Sequence, residues 1–272
     1  MRAMWTGDDP SGASASPKAP LARDGAMDRP VAMDRMVFFD LDRTLLAVDS
    51  EMALGRRLAA DRAISLRTTL RILAGYLYYR AAPSRDLQEM KRRLLRRLLR
   101  GREVAALEAV ASKVVEDELL AALVPAGLLA LERHSGAGDR IVLLSAAVDL
   151  VVEPIARALA IDTVVCTRLV RANGRFTGEV ENPIPMGPGK AAALRVTCAG
   201  LGVDPARVVA YADHYSDRHM LRLVGTAVVV NPERKLRALA RARGWRIERW
   251  PAPGGSAQPV PTGRCVPRPA RR

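Results

Sequence analysis

The chain has 272 residues, 49% of them apolar, and 43 Lys and Arg against 29 Asp and Glu give a formal charge of +14. That is a foldable, basic composition, long enough for one large domain or two small ones, and it excludes full disorder and a fibrous repeat. Three cysteines (Cys166, Cys198, Cys265) at long spacings form neither a CxxC pair nor an even set. This argues against a zinc ribbon or a disulfide-stapled secreted fold and favours a reducing, cytoplasmic location.

In chain order, residues 1–34 mix acids, prolines and small residues without the basic start and apolar run of a secretory signal. They are expected to be disordered, and the cluster Met27, Met33 and Met36 raises the expectation of a translation start later than Met1. Met36 to Leu41 (MVFFDL) is a short apolar run that breaks into Asp42, Arg43 and Thr44, the pattern of a buried parallel strand ending in a polar loop. Residues 50–133 then carry almost no strand signal and helix-like spacing throughout, which predicts an all-helical cap inserted after the first strand.

Within that cap, Gln88 to Arg102 sets Leu94, Leu95, Leu98 and Leu99 on one side and Arg92, Arg93, Arg96, Arg97 and Arg100 on the other. The arginines are expected to form a solvated outer face, the alternative being weak contact with an anionic membrane surface or another anion. Tyr76, Tyr78 and Tyr79 are expected to pack, and no aromatics interleave with the arginines, so no stable nucleic-acid partner is expected. The longest apolar stretch, Leu119 to Leu131, has 13 residues and contains Pro125. A bilayer span needs roughly 20.

Strand-like runs recur at Arg140 to Leu144, Thr163 to Cys166, Arg207 to Tyr211 and Thr226 to Val230, each beside a helix-period segment, as in βαβ units. The predicted architecture is an α/β, Rossmann-like core over 35–49 and 134–250, with a parallel sheet flanked by helices. Residues 251–272 form a basic, proline-rich tail expected to be disordered. Ligands of open parallel sheets bind beyond the carboxyl ends of the strands. The loops there hold Asp40, Asp42 and Thr44 after the first strand, Ser145 after the second, Lys190 after Gly187, Pro188 and Gly189, and then Asp213 and Asp217. A P-loop reading of the glycine pair fails, because Ile184 stands where a glycine is needed and Ala191 where Ser or Thr is needed. His214 and His219 lack a third paired ligand and are expected to be polar loop residues, and His134 a helix-end residue.

These segments resemble the haloacid dehalogenase (HAD) superfamily of aspartate-nucleophile phosphatases. FDLDRTL at Phe39 to Leu45 looks like its first motif, LLSAA at Leu143 to Ala147 like the second, Lys190 like the third and YADHYSD at Tyr211 to Asp217 like the fourth. The insertion after the first motif, with EPIARAL at Glu153 to Leu159, GRFTGEV at Gly174 to Val180 and VNPERKL at Val230 to Leu236, further resembles the phosphoserine phosphatase-like subgroup IB, with a C1-type cap. The resemblance implies a Mg²⁺-dependent phosphomonoesterase acting on a small phosphorylated metabolite: phosphoserine, histidinol phosphate or a lysophospholipid-like ester. Asp40 would be the nucleophile and Asp42 the general acid and base. The Asp40 carboxylate, the Asp42 carbonyl and the Asp213 carboxylate would hold the metal with support from Asp217, and Ser145 and Lys190 would bind phosphoryl oxygens. Thr44 would steady the loop by hydrogen bonding, and Arg43 stands where many members carry glycine. Attack by a carboxylate on a phosphate dianion at 4 Å meets a repulsion of roughly 8 kcal/mol at an effective dielectric near 20, so the cations in this scheme are a physical requirement.

Two competing readings stay open at this level. A non-hydrolytic module of the same fold would hold anionic partners, lipid or nucleic acid, through its basic cap, although it would have no need for a costly cluster of like charges. An enzyme that passes the aspartyl-phosphate to an acceptor other than water is the third.

Overall fold

The computed structural model describes residues 35–61, 70, 74, 87–181 and 183–254. The expectations for residues 1–34, for the three clustered tyrosines and for the tail beyond Gly254 lie outside the described residues.

Six strands form one all-parallel sheet: β1 (Met36–Phe39), β2 (Arg140–Val148), β3 (Thr163–Thr167), β6 (Val208–Ala212), β7 (Thr226–Val230) and β8 (Arg246–Glu248), in the order β3-β2-β1-β6-β7-β8. All four β1 side chains are buried because helices cover both faces, and this is why the strand reads as an unbroken apolar run. Val37, Phe39, Leu143, Tyr211 and Val228 face one layer of the core, and Phe38, Val142, Leu144, Ala210 and Val229 face the other. Chain order turns around at β1, with β2 on one side and β6 on the other, so the crevice between the carboxyl ends of β1 and β6 is the place for a ligand.

The second strand runs four residues past its expected end at Leu144. Its pairing with β3 is irregular between Leu144 and Val148, and this places Ser145 inside a distorted strand end rather than after it. Strand β8 was not foreseen, since Arg-Ile-Glu has too little apolar content to signal a strand.

Among its described residues the segment after β1 is helical: α1 (Ser50–Ala60), α2 (Leu87–Leu99), α3 (Val104–Val114) and a π turn over Val115–Leu119. Helix α4 (Pro125–Gly136) packs on β2, so the expected cap boundary at 133/134 falls inside a helix that belongs to the sheet layers. Helices α5 (Asp149–Ala158), α6 (Pro188–Gly200), α7 (Arg218–Leu221) and α8 (Arg234–Arg243) complete the layers. Between β3 and α6 an antiparallel hairpin, β4 (Leu169–Ala172) and β5 (Arg175–Val180), leaves the main sheet and docks against α2. Phe176 exchanges backbone hydrogen bonds with Gly101 and Arg102, at 2.8 and 2.9 Å. A Cβ on Gly178 would stand 3.0 Å from the Arg96 Cα, so only glycine lets β5 lie this close to the helix.

Candidate active site

Asp40 immediately follows β1, and its N–H donates to the Tyr211 carbonyl at 3.0 Å, which extends the β1–β6 ladder by one rung. Its Oδ1 accepts the Leu41 N–H at 2.8 Å and lies 2.8 Å from the Lys190 ammonium. The chain then makes a wide turn over Leu41–Leu45, closed by Leu46 N–H to Leu41 O at 2.9 Å. Arg43 sits in that turn at φ 59°, left-handed backbone that costs a non-glycine residue on the order of 1 kcal/mol and that glycine adopts freely. The turn brings the Asp42 carboxylate to the head of α1, where it accepts the Ser50 N–H at 2.7 Å.

Lys190 lies in the first turn of α6. A Cβ on Gly189 would stand 2.4 Å from the Ile184 carbonyl, so glycine is required for the helix to start against that loop. The buried Lys190 Nζ lies between Asp40 and Asp217, at 3.1 Å from Asp217 Oδ2. Asp213 follows β6, and Asp217 ends a short 3₁₀ turn that His214 caps by accepting the Ser216 N–H at 3.2 Å. His214 therefore builds the loop, as expected of a polar loop residue.

One carboxylate oxygen each from Asp40, Asp213 and Asp217 lies within 4.8 Å of the others. At that separation each pair of ionised groups repels by about 3–4 kcal/mol at an effective dielectric of 20. Burial pushes the Asp40 carboxyl up to about 7, opposed by Lys190 and assisted by repulsion from Asp217. Asp213 is held well above the usual carboxylate range by desolvation and then by Asp40 and Asp217. Asp42 is raised by burial and then by Asp49. Three hard oxygen donors that resist ionising together fit a divalent cation such as Mg²⁺, which prefers carboxylates and water. Among the described residues neither His214 nor His219 takes part in a grouping of this kind.

The sequence placed Asp217 as support for the metal, and the structure brings its carboxylate into the cluster itself. Asp42 joins no such grouping through its carboxylate, which is turned to Ser50. Ser145 is fully buried, and its Oγ accepts the Ala147 N–H at 3.1 Å, which leaves its own proton available to donate. Thr44 departs from expectation: its Oγ1 is buried without a hydrogen-bond partner, so it steadies the loop by packing and not by the hydrogen bond anticipated.

Residues 37–222 match the sequence model of the haloacid dehalogenase-like hydrolases. The chain belongs to this family. It is 36% identical over 235 residues to the inhibition of morphological differentiation protein of Streptomyces azureus, covering 86% of this chain and 84% of that one. It is also 36% identical over 239 residues to phosphoserine phosphatase SerB1 of Mycobacterium tuberculosis, covering 84% and 75%. Among solved structures it is similar to a protein of unknown function from Bordetella pertussis Tohama I, with TM-score 0.71, 27% identity and coverage of 79% of this chain and 98% of that one. It is an enzyme of the HAD phosphatase type, similar to the phosphoserine phosphatase-like subgroup.

The HAD core is closed from above by a contact that the sequence reading missed. Lys91, on the buried stripe of α2 with Leu95 and Leu99, places its Nζ 2.8 and 2.7 Å from the two Glu51 oxygens and 2.7 Å from the Ala146 carbonyl. One ammonium thus ties α2, the start of α1 and the distorted end of β2 next to Ser145. Gln88, one turn earlier, donates to the Met186 carbonyl at 3.4 Å, just ahead of Lys190. The available signal was positional: Lys91 precedes Leu95 and Leu99 at helical spacing, on the apolar side of an otherwise basic helix.

Proposed function

We propose that this HAD enzyme is a Mg²⁺-dependent phosphomonoesterase that acts through a phosphoryl-aspartate on Asp40. The observation that carries the reading is the convergence of Asp40, Asp213 and Asp217 with the Lys190 ammonium at the carboxyl ends of β1 and β6. Asp40, Asp213 and the Asp42 carbonyl, with Asp217, would hold Mg²⁺. When bound, the ion supplies positive charge against the phosphoryl oxygens.

The contacts of Asp40 with Leu41 and Lys190 both fall on Oδ1, so Oδ2 is assigned the in-line attack on phosphorus. The new Oδ2–P bond forms as the P–O bond to the alcohol breaks. Asp42, whose carboxyl burial and Asp49 push above the usual carboxylate range, gives its proton to the leaving oxygen. Water then attacks phosphorus, Asp42 takes back a proton, and the Asp40–phosphoryl bond breaks to release phosphate. Lys190 and the Ser145 hydroxyl donate to the phosphoryl oxygens, from positions fixed by α6 and the end of β2. Asp40 and Asp217 are buried and Asp213 is half-buried, and α2 reaches the neighbouring Met186 and Ala146 carbonyls through Gln88 and Lys91.

The substrate in this reading is a small phosphate monoester in the cytoplasm: phosphoserine, histidinol phosphate or a lysophospholipid-like ester. The phosphoserine phosphatase among the relatives supports the first. No helix among the described residues is long and apolar enough to cross a membrane. Phosphate release from a panel of these esters, with Mg²⁺ and with EDTA, for wild type and Asp40→Asn side by side, tests the assignment. The expected result is metal-dependent turnover that falls at least about 1,000-fold in Asp40→Asn while the variant keeps its fold. Equal turnover in the two proteins would remove Asp40 as the nucleophile. No release from any ester would favour the non-hydrolytic module.

A further inference from the structure

We propose that the enzyme carries a second anion-binding site, whose arginines stand towards the amino ends of the sheet strands, for a small phosphate-bearing molecule. A cavity of about 340 Å³ opens where Arg35 enters β1, Arg246 opens β8 and Arg133 projects from the last turn of α4. Its floor is the buried Tyr211, with His134 beside it. Asp40, Asp213 and Asp217 follow the carboxyl ends of β1 and β6, whereas Arg35, Asp139, Thr226 and Arg246 stand at the amino ends of their strands. The arginines thus stand at the strand ends away from the carboxylates, and Tyr211, whose carbonyl accepts the Asp40 N–H, lies between the two sites.

The polar groups are prearranged. Arg133 donates to the Tyr211 hydroxyl at 3.1 Å, and His134 Nε2 meets the same oxygen at 3.0 Å. The other imidazole nitrogen, Nδ1, lies 2.6 Å from Asp139 Oδ2, and Arg35 Nε lies 3.8 Å from Asp139 Oδ1. Arg246 pairs at 2.8 Å with Glu248, which does not line the cavity. Asp139 is the one carboxylate facing the cavity among its lining residues, against three guanidinium groups, and Arg133 directs its hydrogen bond to a phenol and not to a carboxylate. Guanidinium groups with free edges recognise tetrahedral oxyanions by paired N–H donation. The cavity exceeds a bare phosphate ion, which suits an organic phosphate ester, with inorganic phosphate as the minimal ligand sharing its chemistry.

The site has a built-in reporter. The Tyr211 ring lies 5.6 Å, centroid to centroid, from Trp250, and on its other side it stacks on Phe39 at 4.5 Å. The experiment uses the full chain carrying Lys190→Met, which removes the phosphate-binding ammonium of the active site, in EDTA at constant ionic strength. Inorganic phosphate and glycerol phosphate are titrated separately, with tryptophan fluorescence and thermal melting as readouts, neither of which depends on turnover. A saturable change is expected for at least one probe, weakened at least tenfold by adding Arg133→Gln or Arg246→Gln, both exposed positions. Tighter binding of glycerol phosphate would assign an organic ester, and tighter inorganic phosphate the free ion. Absence of saturable binding of either probe, or binding unchanged in both arginine variants, would overturn the proposal.

Discussion

Two buried lysines hold this enzyme together at its active end, and they do so differently. Lys190 sits wholly within the core and faces Asp40 and Asp217 on the carboxyl edge of the sheet, where the third carboxylate, Asp213, leaves acids in excess. Lys91 comes from α2 and divides its bonds between Glu51 and a backbone carbonyl, so that three N–H donors meet three oxygens. The first arrangement is short of positive charge and has the donor set to fit a divalent cation. The second is balanced, and its consequence is mechanical: it binds the helical segment to the end of β2 beside Ser145. The same side chain serves chemistry in one place and closure in the other because of how many carboxylates surround it.

Breaking the first arrangement should have the larger effect. Lys190→Met is expected to lower kcat by about 100- to 1,000-fold, the usual loss for one preorganised donor to a transition-state oxyanion. It also leaves Asp40 and Asp217 without their ammonium, so stability measured in EDTA should drop by about 3–5 kcal/mol. Steady-state kinetics and denaturant melts check the two halves separately, and an unchanged kcat would remove Lys190 from the chemistry.

The excess of acid in that cluster also predicts how the metal-free enzyme responds to pH. Asp40 ionises near 4 in the unfolded chain and at about 7 in the fold. Between those values the fold keeps a proton that the unfolded chain has lost, so stability from this group is present in full below about pH 4 and declines as pH rises towards 7. Asp213 and Asp42, raised in the same direction, add to the slope. In EDTA the melting temperature should therefore fall by about 5 °C or more between pH 5 and pH 7.5. Adding Mg²⁺ at pH 7.5 should restore it, and a flat profile in EDTA would count against the cluster as a cation site.

The smallest effect is expected from the balanced lysine. Lys91→Met keeps the aliphatic stem beside Leu95 and removes the tie to Glu51 and Ala146, so KM for the monoester should rise by about tenfold with kcat changed less. Partial recovery in Lys91→Arg would show that the positive charge matters and not only the packing. A fall in kcat with KM unchanged would instead place Lys91 in the chemistry.

The apolar runs of β1, β6 and β7 and the carboxylates that follow β1 and β6 were legible because a parallel strand buried on both faces has no polar position to spare, so its end is marked where polar residues begin. The strand at Arg246–Glu248 was not, since an edge strand of three residues carries no such mark. The β4–β5 hairpin had a signal in Asn173-Gly174, a dipeptide suited to two-residue turns, but a reading set on βαβ units passed over it. Thr44 shows the limit at the site itself, because whether a hydroxyl finds a partner depends on atoms from other segments.

The sequence by itself determined five of the six strands of the sheet and the residue types at its carboxyl edge, because periodicity and strand-end polarity are local. Only the tertiary structure decided that Asp217 shares one cluster with Asp40 and Asp213, that Lys91 bridges α2 to the core, and that three arginines, one just before β1, one in α4 and one in β8, line one cavity. Those facts depend on contacts between segments tens to hundreds of residues apart, whose distances are set by packing and leave no periodic trace in the chain.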